Sequence, residues 1–348
     1  MNDRSRISAT QLCLLLLASR LSNCLLLTPE STVGLPWEER LAAIALSGAL
    51  LFLLFVPTLL LRASPLDCAY RRSRACGRAV GAAYTVLFLF ILCLDVIQFY
   101  DFAEKVMKGE FSVTALTVAL IAVAFAASLY GIQALGRTAL PVAVFSVICL
   151  LTFSLALLPE MKLLHFPPLP GSGARAVWHA AVNELPRTAE TVAIGWLYPY
   201  IRGSRPRALG AFCGSTALLT GLVVTTAWGV LGEFATAAAY PYYTAITAAQ
   251  LGVFQRMDIL IIAVWLATFF VRLTLFCTAF TDTARRLLGK RFRIPAAAAG
   301  TVLLSAFTWI LRDHRSWDVI TVIYGVALAV FCLVLPTVLG LSKRRKAR

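Results

Sequence analysis

Apolar residues along the chain fall into ten runs, most of them about 20 residues long, the length a helix needs to cross a bilayer. The pattern therefore predicts an all-α fold with ten transmembrane helices in a single integral membrane domain, residues 1–348. The sixth run is too short to cross alone, and we expect the amphipathic stretch 174–185 to complete it. The runs are residues 12–28, 41–61, 79–99, 113–133, 139–158, 192–201, 208–231, 259–280, 294–311 and 319–340.

Basic residues between the runs predict the orientation of the chain. If the N-terminus is cytoplasmic, the inner segments hold 21 of the 32 Lys and Arg residues and the outer segments hold 8. Cytoplasmic loops carry such an excess in membrane proteins, so both termini are expected in the cytoplasm. The net charge of +15 is then a consequence of topology, and we expect no nucleic-acid partner.

The amino-acid composition and the missing motifs argue against several other classes of protein. Apolar residues make up 59% of the chain and charged residues 14%, against about 25% charged in soluble domains, so the expected surroundings are a lipid bilayer. The G-x-S-x-G, H-E-x-x-H and P-loop patterns are missing from the sequence, and we expect neither an enzyme nor a cofactor. Cys68 and Cys76 share a loop without a histidine, which favours neither zinc nor a disulfide, so no metal site is expected.

The ten runs divide into two halves of similar length, residues 7–159 and 174–340. A unit of five spans inserts its second copy upside down, which is the inverted-repeat plan of secondary transporters. In that plan the first helix of each half is discontinuous, and here polar, Gly or Pro residues interrupt the first and sixth runs. Small residues that allow close helix packing are the alternative explanation. The interrupting residues are Arg20, Ser22 and Asn23 in the first run, and Pro186, Arg187, Glu190, Gly195 and Pro199 around the sixth.

Several short motifs resemble one known family in their order and spacing. They are Ile7-Ser8-x-x-Gln11, Leu27-Thr28-Pro29, Trp37, Glu190 followed by Pro199, Pro241, and Phe254-Gln255-Arg256-Met257-Asp258-Ile259 up to Trp265. Together they resemble the B subunit of GerA-type spore germinant receptors, spore germination permeases of the amino acid/polyamine/organocation (APC) transporter superfamily.

This resemblance implies a 5+5 inverted repeat of the APC/LeuT type with helices 1 and 6 discontinuous. It also implies a protein of the spore inner membrane, in a bacterial cell, that binds a small germinant, commonly an amino acid. The expected partners are an A subunit and a lipoprotein C subunit. A free-standing amino-acid permease coupled to H⁺ or Na⁺ is the alternative function, and a scaffold that only anchors its partners is a third.

Four ionisable residues are expected to lie within the membrane: Arg20, Asp95, Glu190 and Arg272. Intramembrane charges are rare and costly, so we expect a functional charge network, with a static set of ion pairs as the structural alternative. Arg272 lies too deep to reach either surface, and we expect it to act as a built-in cation for the carbonyls near Leu21 to Cys24.

A ligand site is expected between the interrupted first and sixth spans, where free helix ends present N–H and C=O groups. The expected ligand-binding residues are Ser22, Asn23, Glu190, Thr191 and Gly195, with Glu190 facing a cationic group.

Overall fold

The structure is a computed structural model that describes residues 6–25, 35–107, 112–166, 171–248, 257–289, 291, 293–312 and 317–346. This part of the chain is nearly all helical, as the sequence predicts. The motif residues Leu27, Thr28, Pro29 and 254–256 lie outside it.

Fifteen α-helices and two short strands are numbered in chain order. They are β1 (Ile7–Ser8), α1 (Ala9–Cys24), α2 (Trp37–Leu61), α3 (Pro65–Arg72), α4 (Arg74–Met107), α5 (Val113–Ser128), α6 (Ile132–Leu157), α7 (Ala174–Glu184), α8 (Glu190–Leu197), β2 (Ile201–Arg202), α9 (Arg205–Leu231), α10 (Phe234–Ala237), α11 (Pro241–Ala248), α12 (Met257–Leu288), α13 (Arg293–Arg312), α14 (Trp317–Leu328) and α15 (Leu335–Lys346).

Six helical segments within the described residues are long and apolar enough to cross a membrane by length and composition. Two shorter apolar helices, Val113–Ser128 and Ile294–Ile310, accompany them. The chain is therefore an integral membrane protein. The six segments are Trp37–Arg72, Arg74–Val106, Ile132–Glu160, Arg205–Leu231, Ile259–Leu288 and Val322–Leu341.

The first helix starts with a capping box, which gives a physical reason for the Ile-Ser-x-x-Gln motif. The Ser8 hydroxyl accepts a hydrogen bond from the Gln11 backbone N–H at 3.1 Å, and the Gln11 side-chain oxygen accepts from the Ser8 N–H at 2.9 Å. Just before it, Ile7 pairs with Ile201 in a two-stranded parallel sheet. The start of α1 is therefore tied to the end of the sixth predicted span.

The sixth predicted span is broken, as expected. Helix α7 ends at Glu184, a 3₁₀ turn covers Leu185–Arg187, and α8 begins at Glu190. Pro186 has no backbone N–H, so it cannot continue the hydrogen-bond ladder of α7. By contrast, α1 is helical through Arg20, Ser22 and Asn23 to its end at Cys24, so the expected interruption does not lie among those residues.

The core of the molecule lies around α12 and α1. Helix α12 packs against α4, α1, α6 and α5, and α1 packs in addition against α9. The last predicted span, α14 to α15, contains a π-helical turn, Ala329–Val334, which lies against α2 and α8. The broken span is thus held between α1 on one side and the π-helical turn on the other.

Candidate functional site

Glu190 is the first residue of α8 and is fully buried. One carboxylate oxygen, Oε1, accepts hydrogen bonds from the Ser19 hydroxyl at 2.6 Å and from the Arg272 guanidinium at 2.5 Å. The other oxygen, Oε2, is buried and has no hydrogen-bond partner among the described residues. The N-terminus of a helix favours an anion, since its first N–H groups have no partner within the helix. The break therefore places a carboxylate oxygen with unused acceptor capacity beside α1.

Arg272 joins this carboxylate to a second one. Its Nε donates to Asp95 Oδ2 at 2.9 Å, so one guanidinium links α4, α8 and α12. Three of the four intramembrane charges predicted from sequence, Asp95, Glu190 and Arg272, are thus brought together. Two carboxylates share one guanidinium, which leaves acceptor capacity for a further cation or proton donor.

The guanidinium is not directed at the carbonyls of residues 21–24, the position expected from the sequence. Its hydrogen bonds run to the two carboxylates, and the Ser22 carbonyl instead accepts from Trp265 Nε1 at 3.1 Å. Trp265 and Thr268 are both buried, so their shared face of α12 points into the bundle.

Arg20 belongs to a separate network at the break. Its NH2 donates to Glu184 Oε2 at 3.3 Å, and its NH1 donates to the Arg187 carbonyl at 2.7 Å. Asn23 Nδ2 donates to the same carbonyl at 3.2 Å. Side chains of α1 therefore satisfy a backbone oxygen that the turn between α7 and α8 leaves open.

The remaining expected ligand residues lie around this junction. The Ser22 hydroxyl donates to Ser19 O at 2.7 Å, and the Thr191 hydroxyl donates to Thr188 O at 2.8 Å. Gly195 lies farther along α8, where its carbonyl accepts from Ser64 and a Cβ at its position would be 2.6 Å from the Tyr84 hydroxyl oxygen. Gly195 is therefore a close-packing position between α8 and α4.

Aromatic rings cover the site between α4 and α12. Trp265 is stacked on Phe99, with ring centroids 5.4 Å apart and planes 7° apart, and Phe102 lies 4.2 Å from the Trp265 centroid. Phe102 in turn meets Tyr240 edge to face. These ring contacts connect α4 and α12 with Tyr240, which lies between α10 and α11.

A third polar cluster lies near the other end of α12. Asp282 Oδ2 accepts from Trp196 Nε1 and from the Tyr200 hydroxyl, each at 2.9 Å, and Asp282 also pairs with Arg285. Arg286 donates to Asp282 at 3.1 Å and to Asp67 of α3 at 2.8 Å. The cluster joins the end of the broken span to α12 and α3.

The sequence did not reveal several members of these networks, among them Ser19, Glu184 and Asp282, nor the buried Tyr324. Glu184 could have been found from the sequence, because it is an acidic residue within the stretch assigned to the sixth span. Asp282 was missed because α12 continues beyond the predicted end at residue 280. Tyr324 of α14 is buried and its hydroxyl has no hydrogen-bond partner among the described residues, but a single tyrosine in an apolar run gives no sequence signal.

Comparison with solved structures shows the class of fold. The chain is similar to Mhp1, a nucleobase-cation-symport-1 family transporter whose structure was determined in a closed conformation with bromovinylhydantoin bound. The TM-score is 0.66 over 99% of this chain and 95% of that chain, with 14% sequence identity. The chain therefore shares the fold of that membrane transporter.

The sequence itself shows the family. A family model described as spore germination protein, Spore_permease, matches residues 71–316, and the chain belongs to that family. The resemblance seen in the sequence motifs is thereby confirmed, and the family and fold are those of permeases rather than enzymes. None of the curated proteins matches the sequence.

Proposed function

We propose that this chain is the transporter-like subunit of a nutrient germinant receptor in the inner membrane of a bacterial spore. It spans the bilayer ten times as a 5+5 inverted repeat, residues 7–159 and 174–340, with both termini in the cytoplasm. It binds a small germinant, an amino acid, between α1 and α8, and signals germination together with an A subunit and a lipoprotein C subunit.

The unsatisfied Oε2 of Glu190 is the observation that carries this proposal. A buried carboxylate oxygen without a partner among the described residues is costly, and an ammonium group supplies the donors and the charge that it lacks. At the start of α8 the N–H groups of Thr191 and Val192 already donate to the carbonyls of Thr188 and Ala189. The proposed recognition therefore rests on the Glu190 carboxylate and the ammonium group of the ligand.

Dose–response curves of spores test the assignment. Spores that carry Glu190→Gln or Asn23→Ala in place of the native chain should need a higher germinant concentration for half-maximal release of dipicolinic acid. Glu233→Gln is the matched control, because Glu233 is an exposed carboxylate outside the site. Immunoblots must show equal amounts of protein, and an unchanged dose response in both site variants would place the ligand elsewhere.

The partners require a separate experiment. Affinity purification of the tagged chain from detergent-solubilised spore membranes should recover two further proteins, an A subunit and a lipoprotein C subunit. Recovery of the chain by itself at full yield would contradict the receptor assembly.

A free-standing permease is the second candidate, and the likeness to a transporter over nearly the whole chain favours it. Vesicles that contain this chain without partners distinguish the two functions. Accumulation of labelled amino acid driven by an H⁺ or Na⁺ gradient would support the permease, whereas binding without accumulation would support the receptor. A chain that neither binds nor accumulates amino acids would be a scaffold.

A further inference from the structure

A small, partly open cavity lies apart from Glu190, between α1, α2, α9 and the end of α7. Its volume is about 20 Å³, which is room for one water-sized or single-atom occupant. The rest of its wall is apolar, and the polar part is supplied by Arg20, Ser47, Glu184, Thr188, Thr216 and Thr220. Arg20 is on α1 directly after Ser19, so adjacent residues of one helix serve two different sites.

Two buried hydrogen-bond donors on this wall have no partner among the described residues. They are Nε of Arg20, whose side chain is 6% exposed, and the hydroxyl of Thr216. Buried threonines in helices commonly bond a carbonyl of their own helix, as Thr226 of α9 does with Leu222. The Thr216 hydroxyl makes no such bond, so it remains available to an occupant of the cavity.

The two unpartnered groups can both donate a hydrogen bond to an acceptor in the cavity. The Nε–H of Arg20 can only donate, and it carries part of a full positive charge. Glu184, the carboxylate on this wall, is already engaged by Arg20 at 3.3 Å and lies 3.8 Å from Arg187. Two guanidinium groups thus accompany one carboxylate at this end of α7, which leaves positive charge for an anion to balance.

We propose that this cavity is a binding site for a small monovalent anion, chloride, held by Arg20 Nε and the Thr216 hydroxyl. The apolar part of the wall, which includes Ile44, Leu51 and Ala217, lowers the local dielectric and strengthens the attraction to the guanidinium. The bound ion joins α1, α2 and α9 at the end of α7. The site is independent of the germinant site proposed at Glu190.

Thermal unfolding of the purified full-length chain in nanodiscs tests the proposal. Sodium gluconate is replaced stepwise by sodium chloride at constant ionic strength, and the apparent Tm is recorded. A ligand that binds only the folded chain at ten times its Kd shifts the unfolding equilibrium about 11-fold. We expect a saturable rise of Tm with chloride and with bromide. A Tm that does not depend on the halide would overturn the site.

Variants distinguish this cavity from other sites. Thr216→Val keeps the shape of the side chain and removes its donor, so the half-saturating chloride concentration should rise about tenfold or more. Arg20→Lys removes Nε and keeps the charge, and it should also weaken the response. Thr226→Val is the matched control, because it removes a buried hydroxyl of the same helix that already bonds its own backbone.

A crystal grown in sodium bromide locates the ion directly. The proposal expects an anomalous peak within hydrogen-bonding distance of Arg20 Nε and Thr216. A water molecule without anomalous signal in the cavity, or chloride responses equal in Thr216→Val and wild type, would contradict it.

Discussion

Replacing Arg272 by glutamine removes the guanidinium that joins Asp95 and Glu190. Both charge-assisted hydrogen bonds are lost, at 2.9 Å and 2.5 Å, and two buried carboxylates remain close together without a cation. Each such bond is worth about 1.5–3 kcal/mol, and breaking a buried pair by removing one partner costs about 3–5 kcal/mol. We expect Arg272→Gln to lower the free energy of unfolding by about 3–5 kcal/mol.

The assay is chemical or thermal unfolding of the purified chain, with Arg137→Gln as the control for an exposed arginine. The double variant Arg272→Gln, Glu190→Gln should recover part of the loss, because it removes one of the two unpaired charges. A double-mutant cycle gives the coupling energy between the two residues. Wild-type stability in Arg272→Gln, or strictly additive effects of the two changes, would refute this account of the network.

Three other predictions address the fold and the close contacts. In a cysteine-depleted background, an impermeant thiol reagent applied from outside should label a cysteine at Phe234 and not one at Leu288; the reverse pattern would invert the topology. Gly195→Ala should destabilise by about 1–3 kcal/mol, because its Cβ would lie 2.6 Å from the Tyr84 hydroxyl, and Tyr84→Phe should restore part of that loss in unfolding assays. Asp282→Asn should lower the apparent Tm, since it weakens four hydrogen-bonded contacts, and an unchanged Tm would show that the cluster contributes no stability.

Much of the fold follows from the hydrophobic pattern, because a bilayer requires long apolar helices whose backbone groups are paired internally. The break in the sixth span was also predictable, since Pro186 and Glu190 lie between the amphipathic stretch 174–185 and a run that is too short to cross alone. The ends of the long helices were harder to predict from the sequence. Helix α12 continues to Leu288, and Asp282 on that extension was not recognised as a buried partner.

The composition of the charge network was predicted better than its pairing. Asp95, Glu190 and Arg272 stand out as charges in apolar runs, and the structure brings them together. Which acid pairs with Arg20 depends on how α7 turns into α8, and sequence spacing does not determine that geometry. Glu184 therefore became visible as the partner of Arg20 only in three dimensions.

Binding of an amino acid to the purified full-length chain is the measurement that tests the central claim most directly. The standard amino acids are screened by thermal shift, and the best ligand is titrated calorimetrically into wild type, Glu190→Gln and Glu233→Gln. Loss of a charge-assisted hydrogen bond should raise Kd about tenfold or more in Glu190→Gln and leave it unchanged in the control. Equal Kd values for Glu190→Gln and wild type would contradict the assignment of the germinant site to the junction of α1 and α8.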